Sequence, residues 1–185
     1  MKDEAARIRN ARPEELDEVA QLLKSAFQQY SASIPPQAWQ FYLEDIMDVC
    51  SRFSESELIV AELDGRLVGA ITLYLDPARA EEGGWPRGWA GLRLLGVDPD
   101  YRNRGIGHAL MEECLSRCRR KGIKTVGLHT TAMMDAARKM YEKMGFKRAP
   151  RHDFHPRPGV TVMAYRLDMG KSQADGSRPV RERTP

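Results

Sequence analysis

The segment that most constrains this chain runs from Leu94 to Leu110. An apolar stretch, Leu94-Leu95-Gly96-Val97, stops at Asp98-Pro99, and a helical pattern begins after Gly105-Ile106-Gly107. The spacing predicts a strand over Trp89–Val97, a short loop, and a helix from Gly105. Leu110, Met111, Cys114, Leu115 and Cys118 form that helix's apolar stripe, and Lys121-Gly122 stops it. The first backbone N–H groups of a helix have no partner within it. Glycines there lack the Cβ atoms that would block an approaching anion. The helix dipole adds partial positive charge, and Arg102 and Arg104 stand beside it. Together these features describe a phosphate site.

Two phosphate-binding motifs do not fit. The P-loop needs Gly-Lys-Ser/Thr after four intervening residues, and no such run exists. The dinucleotide fingerprint needs a third glycine where Leu110 stands, near a first strand, and this loop follows the fourth strand.

The surrounding chain alternates strands and helices irregularly. Arg7-Ile8-Arg9 reads as a strand, and Pro13-Glu14-Glu15 opens a helix whose apolar face carries Leu16, Val19, Ala20, Leu22, Leu23 and Phe27. Ile34-Pro35-Pro36 breaks the chain before a second helix with Trp39, Tyr42, Leu43, Ile46, Met47 and Cys50. Strands over Leu58–Leu63 and Leu67–Leu75 flank Asp64-Gly65, a two-residue hairpin signal. Asp76–Gly88 is expected to be a loop. Thr125–His129 is a short strand, Met133, Ala137, Met140 and Met144 mark another helix, and Phe146–Ala149 and Val160–Leu167 are the last strands. The order β-α-α-β-β-β-α-β-α-β-β is an α/β arrangement of the α+β type, too irregular for a doubly wound sheet.

Arg102-Asn103-Arg104-Gly105-Ile106-Gly107, placed after Leu95-Gly96-Val97-Asp98-Pro99, resembles the acetyl-CoA loop of the GNAT acetyltransferase superfamily, of the form Arg/Gln-x-x-Gly-x-Gly/Ala. A second segment, Ala137-Arg138-Lys139-Met140-Tyr141-Glu142-Lys143-Met144-Gly145-Phe146, resembles that family's Ala-x-x-x-Tyr-x-x-x-Gly-Phe. The resemblance covers roughly residues 6–168. It implies the GNAT fold: a mixed, mostly antiparallel sheet of about seven strands flanked by about four helices. It also implies transfer of acetyl from acetyl-CoA to an amine by direct attack in a ternary complex. Tyr141 then protonates the leaving thiolate. Cofactor contact is carried onto Leu95, Gly96, Val97, Arg102, Asn103, Arg104, Gly105, Ile106, Gly107 and His108, and along the tyrosine helix onto Met134, Ala137 and Tyr141. Gly96 within a strand independently suggests a bulge or a close backbone approach.

Two departures from the family's pattern matter. Met134 stands where many members have a cofactor-contacting Asn, and Gly91 stands where many have a Glu that serves as base. A lysine-like amine holds its proton roughly 4.6 kcal/mol too tightly at pH 7, so some group must assist. His129, at the end of a strand, is the first candidate, and Glu62 the second. His152-Asp153-x-His155 lacks the partner set of a metal site, so no metal is expected. Cys114 and Cys118, four residues apart on one stripe, read as core. Tyr30, Trp39, Tyr42 and Tyr74 suit either an acceptor cleft or packing.

The net charge of +3 decides between partners by its position. Gly170–Pro185 holds four basic and two acidic residues with little that is apolar, and reads as a disordered tail after a domain over 1–169. The remainder is near balance, which argues against nucleic acid as the main partner. No run approaches the ~18–20 apolar residues of a membrane span. Met1-Lys2-Asp3-Glu4 lacks a signal peptide's apolar stretch, and three cysteines form no disulfide framework, so the cytoplasm is expected. A homodimer is compatible with the resemblance. Two other classes stay open: a non-catalytic CoA-binding module, which the missing Glu permits, and an RNA-associated protein using the tail.

Overall fold

The Asp64-Gly65 pair turns as its composition requires, with φ of +50° at Asp64 and +74° at Gly65. Two positive φ values in succession match the twist of the strands they join. In this computed structural model, which describes residues 5–76, 84–157 and 159–170, the turn links β2 (Glu57–Leu63) to β3 (Arg66–Tyr74). The expected tail beyond Gly170 and the centre of the Asp76–Gly88 loop lie outside the described residues.

β1 (Arg7–Asn10) pairs antiparallel with β2, and β4 (Trp89–Val97) antiparallel with β3. β5 (Thr125–Thr130) joins β4 in parallel, and β8 (Val160–Asp168) returns antiparallel to β5. β6 (Lys147–Arg148) and β7 (Phe154–Arg157) both pair with β8. The sheet order is β1-β2-β3-β4-β5-β8-β6, with β7 off that path, so the described residues hold eight strands where about seven were expected. The additional one, β7, lies between the expected strands Phe146–Ala149 and Val160–Leu167. β7 pairs only with β8, a position that accommodates Pro156 because proline has no N–H to give a second neighbour.

Among the described residues, five α-helices stand where about four were expected: α1 (Leu16–Phe27), α2 (Pro36–Met47), α3 (Val49–Glu55), α4 (Ile106–Arg120) and α5 (Asp135–Lys143). The expected second helix is two. Asp48 leaves the helical region with ψ of 61°, and its side chain accepts from the Ser51 backbone N–H at 3.3 Å, capping α3. Cys50 is consequently exposed. Arg52 of α3 is buried and donates to the carbonyl groups of Asp45 and Ile46, the unpartnered end of α2.

Alternation along the strands divides the core. Ile59, Ile71 and Leu92 pack on one face against Leu110, Met111 and Tyr141 of α4 and α5. Leu58, Val60 and Ala70 pack on the other against Leu23, Phe27 and Ile46 of α1 and α2. Cys114 and Cys118 are fully buried, and burial pushes the Cys118 thiol up to about 11, so both serve the core as the sequence suggests. Gly96 has a packing reason for its missing side chain. A Cβ there would lie 2.8 Å from Leu23 Cδ2 and 3.1 Å from Ala26 Cβ, so glycine lets α1 lie against β4. No helix among the described residues is long and apolar enough to cross a membrane.

Candidate active site

β4 and β5 stay paired only as far as Leu92 and Leu128. Beyond that point β4 is bulged. Arg93 faces Thr72 and Gly96 faces Ala70, so Leu94 and Leu95 together oppose Ile71. Leu94 adopts φ of +52°, a left-handed conformation rare for a leucine. β5 remains bonded to β8 through His129 and Thr130. The facing edges of β4 and β5 are therefore left without ladder partners, and a cavity of about 900 Å³ opens there.

One half of the cavity belongs to β4, the loop after it, and the starts of α4 and α5. Leu95, Val97, Asn103, His108 and Ala137 line it. Asn103 (φ +61°) and Gly105 (φ +76°) take left-handed conformations, and Gly105 forms the N-cap of α4. A Cβ on Gly107 would fill the cradle, 3.6 Å from Val97 Cγ2, 3.7 Å from Met140 Sδ and 3.9 Å from Leu95 Cδ2. The chain thus leaves room for a group at the helix start, which suits the pyrophosphate of CoA. Ile106 packs into the core and also borders the cavity at the start of α4.

The two arginines are placed differently from a free phosphate fork. Arg102 donates from Nη2 to the Ala26 carbonyl at 2.9 Å and from Nη1 to Gln29 Oε1 at 3.2 Å, tying the loop to the end of α1. Arg104 lies over the Tyr101 ring at 5.1 Å and does not line the cavity. Met134 precedes α5 and packs with the α1–α2 cluster, bridging the cavity rather than presenting an amide.

Tyr141 is the buried residue of α5, 7% exposed, and borders the cavity. Its hydroxyl makes no hydrogen bond among the described residues. Burial holds the phenol well above its ordinary pKa, so it keeps its proton at neutral pH.

The other half is aromatic. Tyr30, Tyr42, Tyr74, Trp85, His129 and Phe154 line it, with Asp45 and Arg93. Trp39 packs on Tyr42 instead, outside the lining. The His129 ring stacks on Trp85 at 4.4 Å and 20° and meets the edge of Phe154 at 5.0 Å. Its Nε2 lies 2.9 Å from the His152 carbonyl. A carbonyl only accepts, so Nε2 carries the proton and Nδ1 keeps the lone pair. Burial lowers its pKa, favouring the neutral ring. Glu62, the second candidate base, pairs with Arg9 at 2.6 Å and lies outside the cavity.

Trp85 is what sequence reasoning missed. Gly91 and Gly127 are register partners on β4 and β5 and form a trough for the indole. A Cβ on Gly91 would lie 3.0 Å from Trp85 Cδ1, and one on Gly127 2.6 Å from Cδ2. The two glycines are visible in the sequence, but only the strand register pairs them. In the His152-Asp153-x-His155 run, Asp153 pairs with Arg148 at 2.7 Å, and His152 lies against the Trp85 and Trp89 rings at 5.5 and 5.2 Å.

Residues 16–146 match the acetyltransferase (GNAT) family. Mycothiol acetyltransferase of Cellulomonas flavigena is 34% identical over 97 residues, covering 52% of this chain and 28% of that protein. The ribosomal protein bS18 alanine N-acetyltransferase of Escherichia coli is 34% identical over 85 residues, covering 43% of this chain and 57% of that protein. The chain thus spans well under two thirds of both relatives. Among solved structures, PaiA N-acetyltransferase from Thermoplasma acidophilum, in complex with coenzyme A, has the same fold. Its TM-score is 0.70 at 18% identity, covering 89% of this chain and 99% of that one.

Proposed function

Because this chain belongs to the GNAT acetyltransferase family, we propose that it transfers an acetyl group from acetyl-CoA to an amine in a ternary complex. The observation that carries the reading is the convergence on one cavity of three features. These are the N-terminus of α4, the bulged open edge of β4, and the buried Tyr141 hydroxyl.

The backbone N–H groups of Ile106, Gly107 and His108 hold the pyrophosphate, and the main chain of Leu95 and Val97 lies along the pantetheine arm. A backbone donor at the Leu94–Leu95 bulge faces the thioester oxygen, where negative charge develops. The amine nitrogen attacks the carbonyl carbon. A C–N bond forms, the C–S bond breaks, and sulfur keeps the electron pair. Tyr141 donates its proton to that sulfur, and His129 Nδ1 takes the proton that nitrogen loses. We place the protein in the cytoplasm, a reading that its three free cysteines support.

Purified protein should release thiol from acetyl-CoA when an accepted amine is present. Tyr141→Phe should lower kcat by about 10²–10⁴-fold while leaving acetyl-CoA affinity within a few fold. The hydroxyl it removes has no partner to lose. Unchanged kcat with chemistry rate-limiting would refute this role for Tyr141. A second reading, a CoA-binding module without catalysis, draws on Gly91 in place of a strand carboxylate. Tight CoA binding with no thiol release for any amine would favour it.

A further inference from the structure

The cavity's charge balance bears on the acceptor. Among the described residues that line it, Asp45 is the single carboxylate, against three arginines, Arg93, Arg102 and Arg157, of which Arg93 is paired with it. Both Asp45 oxygens already accept from Arg93 Nη2, at 3.2 and 3.0 Å. Arg52 lies buried behind them, its charge felt by Asp45 and its Nε without a partner. A polycation such as a polyamine needs several carboxylates, and this wall offers one, already compensated.

A zwitterion fits the same pair. On binding, its ammonium lies against Asp45 and its carboxylate against Arg93, two opposite charges meeting two opposite charges, and the nitrogen releases one proton to solvent before it attacks. The Asp45 contact uses only Nη2 of Arg93 and one further guanidinium N–H meets the Tyr74 hydroxyl, so the fork keeps donors for a second carboxylate. The side chains of Arg93 and Asp45 are 24% and 38% exposed, so the pair is reachable. Arg93 also immediately precedes the bulged Leu94. A carboxylate held there keeps an α-amine near the open edge of β4. Tyr42, Trp85 and Phe154 line the same cavity, as does Phe41, which is 65% exposed.

Resting on the acetyltransferase reading, we propose that the acceptor is a free α-amino acid with an apolar or aromatic side chain, anchored by the Asp45–Arg93 pair. Calorimetry on the CoA-loaded full chain tests it with L-phenylalanine, L-phenylalaninamide and spermidine. The free acid should bind at least tenfold more tightly than the amide, and spermidine should give no measurable binding. Arg93→Met should abolish the preference for acid over amide, and Arg93→Lys should restore part of it, both with unchanged CoA affinity as the control on folding. Equal binding of acid and amide, or tighter binding of spermidine, overturns the proposal. Thiol release with spermidine but with no amino acid also overturns it and leaves acetyl transfer standing. Arg93-dependent binding of the amino acid without thiol release upholds the anchor and refutes catalysis.

Discussion

Replacing Gly127 by alanine tests whether Trp85 is seated on the sheet as the structure describes. The new Cβ would lie 2.6 Å from Trp85 Cδ2 and Cε2 and 2.8 Å from Cε3. Carbon atoms rest at about 3.5–4.0 Å, so the ring or the strand must yield by roughly 1 Å. The ring has little freedom, being 9% exposed and stacked between Trp89 at 5.6 Å and His129 at 4.4 Å. Expelling it would return roughly 150–250 Å² of largely apolar surface to water, about 4–6 kcal/mol. Shifting it within an overpacked site costs about 1–3 kcal/mol, so the shift wins. The expected loss is therefore about 1–3 kcal/mol, or a fall in Tm of about 2–12 °C. Urea denaturation followed by circular dichroism measures it. In a Trp85→Leu background no ring stands over the glycine, and the same substitution should cost less than about 0.5 kcal/mol. Equal losses in the two backgrounds, or no loss in the parent, would refute the reasoning. The displaced indole should also raise the acceptor KM more than it changes acetyl-CoA affinity.

His129→Gln should remove the acid limb of the pH–rate profile. Burial lowers the imidazole pKa, so that limb should lie below the ordinary histidine value of about 6.5, with activity rising as pH rises through it. An unaltered profile excludes His129 as the proton acceptor. Gly107→Val fills the cradle beside Val97 and Met140 and should weaken CoA binding by about tenfold or more, measured by calorimetry; an unchanged Kd would remove this loop from the pyrophosphate site. Glu15 is held at about 2 by hydrogen bonds from the Arg9 guanidinium. A depressed carboxylate stabilises the fold above its ordinary pKa, and that contribution is lost as pH falls from about 4.5 towards 2. Thermal melts across that range should show a shallower acid decline for Glu15→Gln, and parallel curves would contradict it.

Features legible in the sequence are those decided within a few residues. Asp64-Gly65 turns because both positions need positive φ. Gly122 (φ +69°) and Gly145 (φ +92°) end α4 and α5 as helix-stopping glycines do. The loop Arg102–Gly107 gives the start of α4, and its spacing to Tyr141 marks both sides of the cofactor half. Less legible is what a side chain does once elements meet. Arg102 and Arg104 look like phosphate ligands in a linear reading, yet one ties down α1 and the other stacks on Tyr101. The break between α2 and α3 escapes a periodicity reading because Val49 and Arg52 are buried on a new axis only 7 residues long.

The sequence alone determined the hairpin, the glycine-led start of α4, the apolar stripes of the helices and the family to which they belong, because each is set by backbone conformation or by short-range periodicity. The tertiary structure decided the acceptor half. Trp85 reaches Gly91 and Gly127 only because β4 and β5 run parallel in one register, and Asp45 meets Arg93 only because the fold brings the end of α2 within reach of β4. Such contacts join residues dozens of positions apart. Their energy depends on the register and angle of packed elements, which no local pattern encodes.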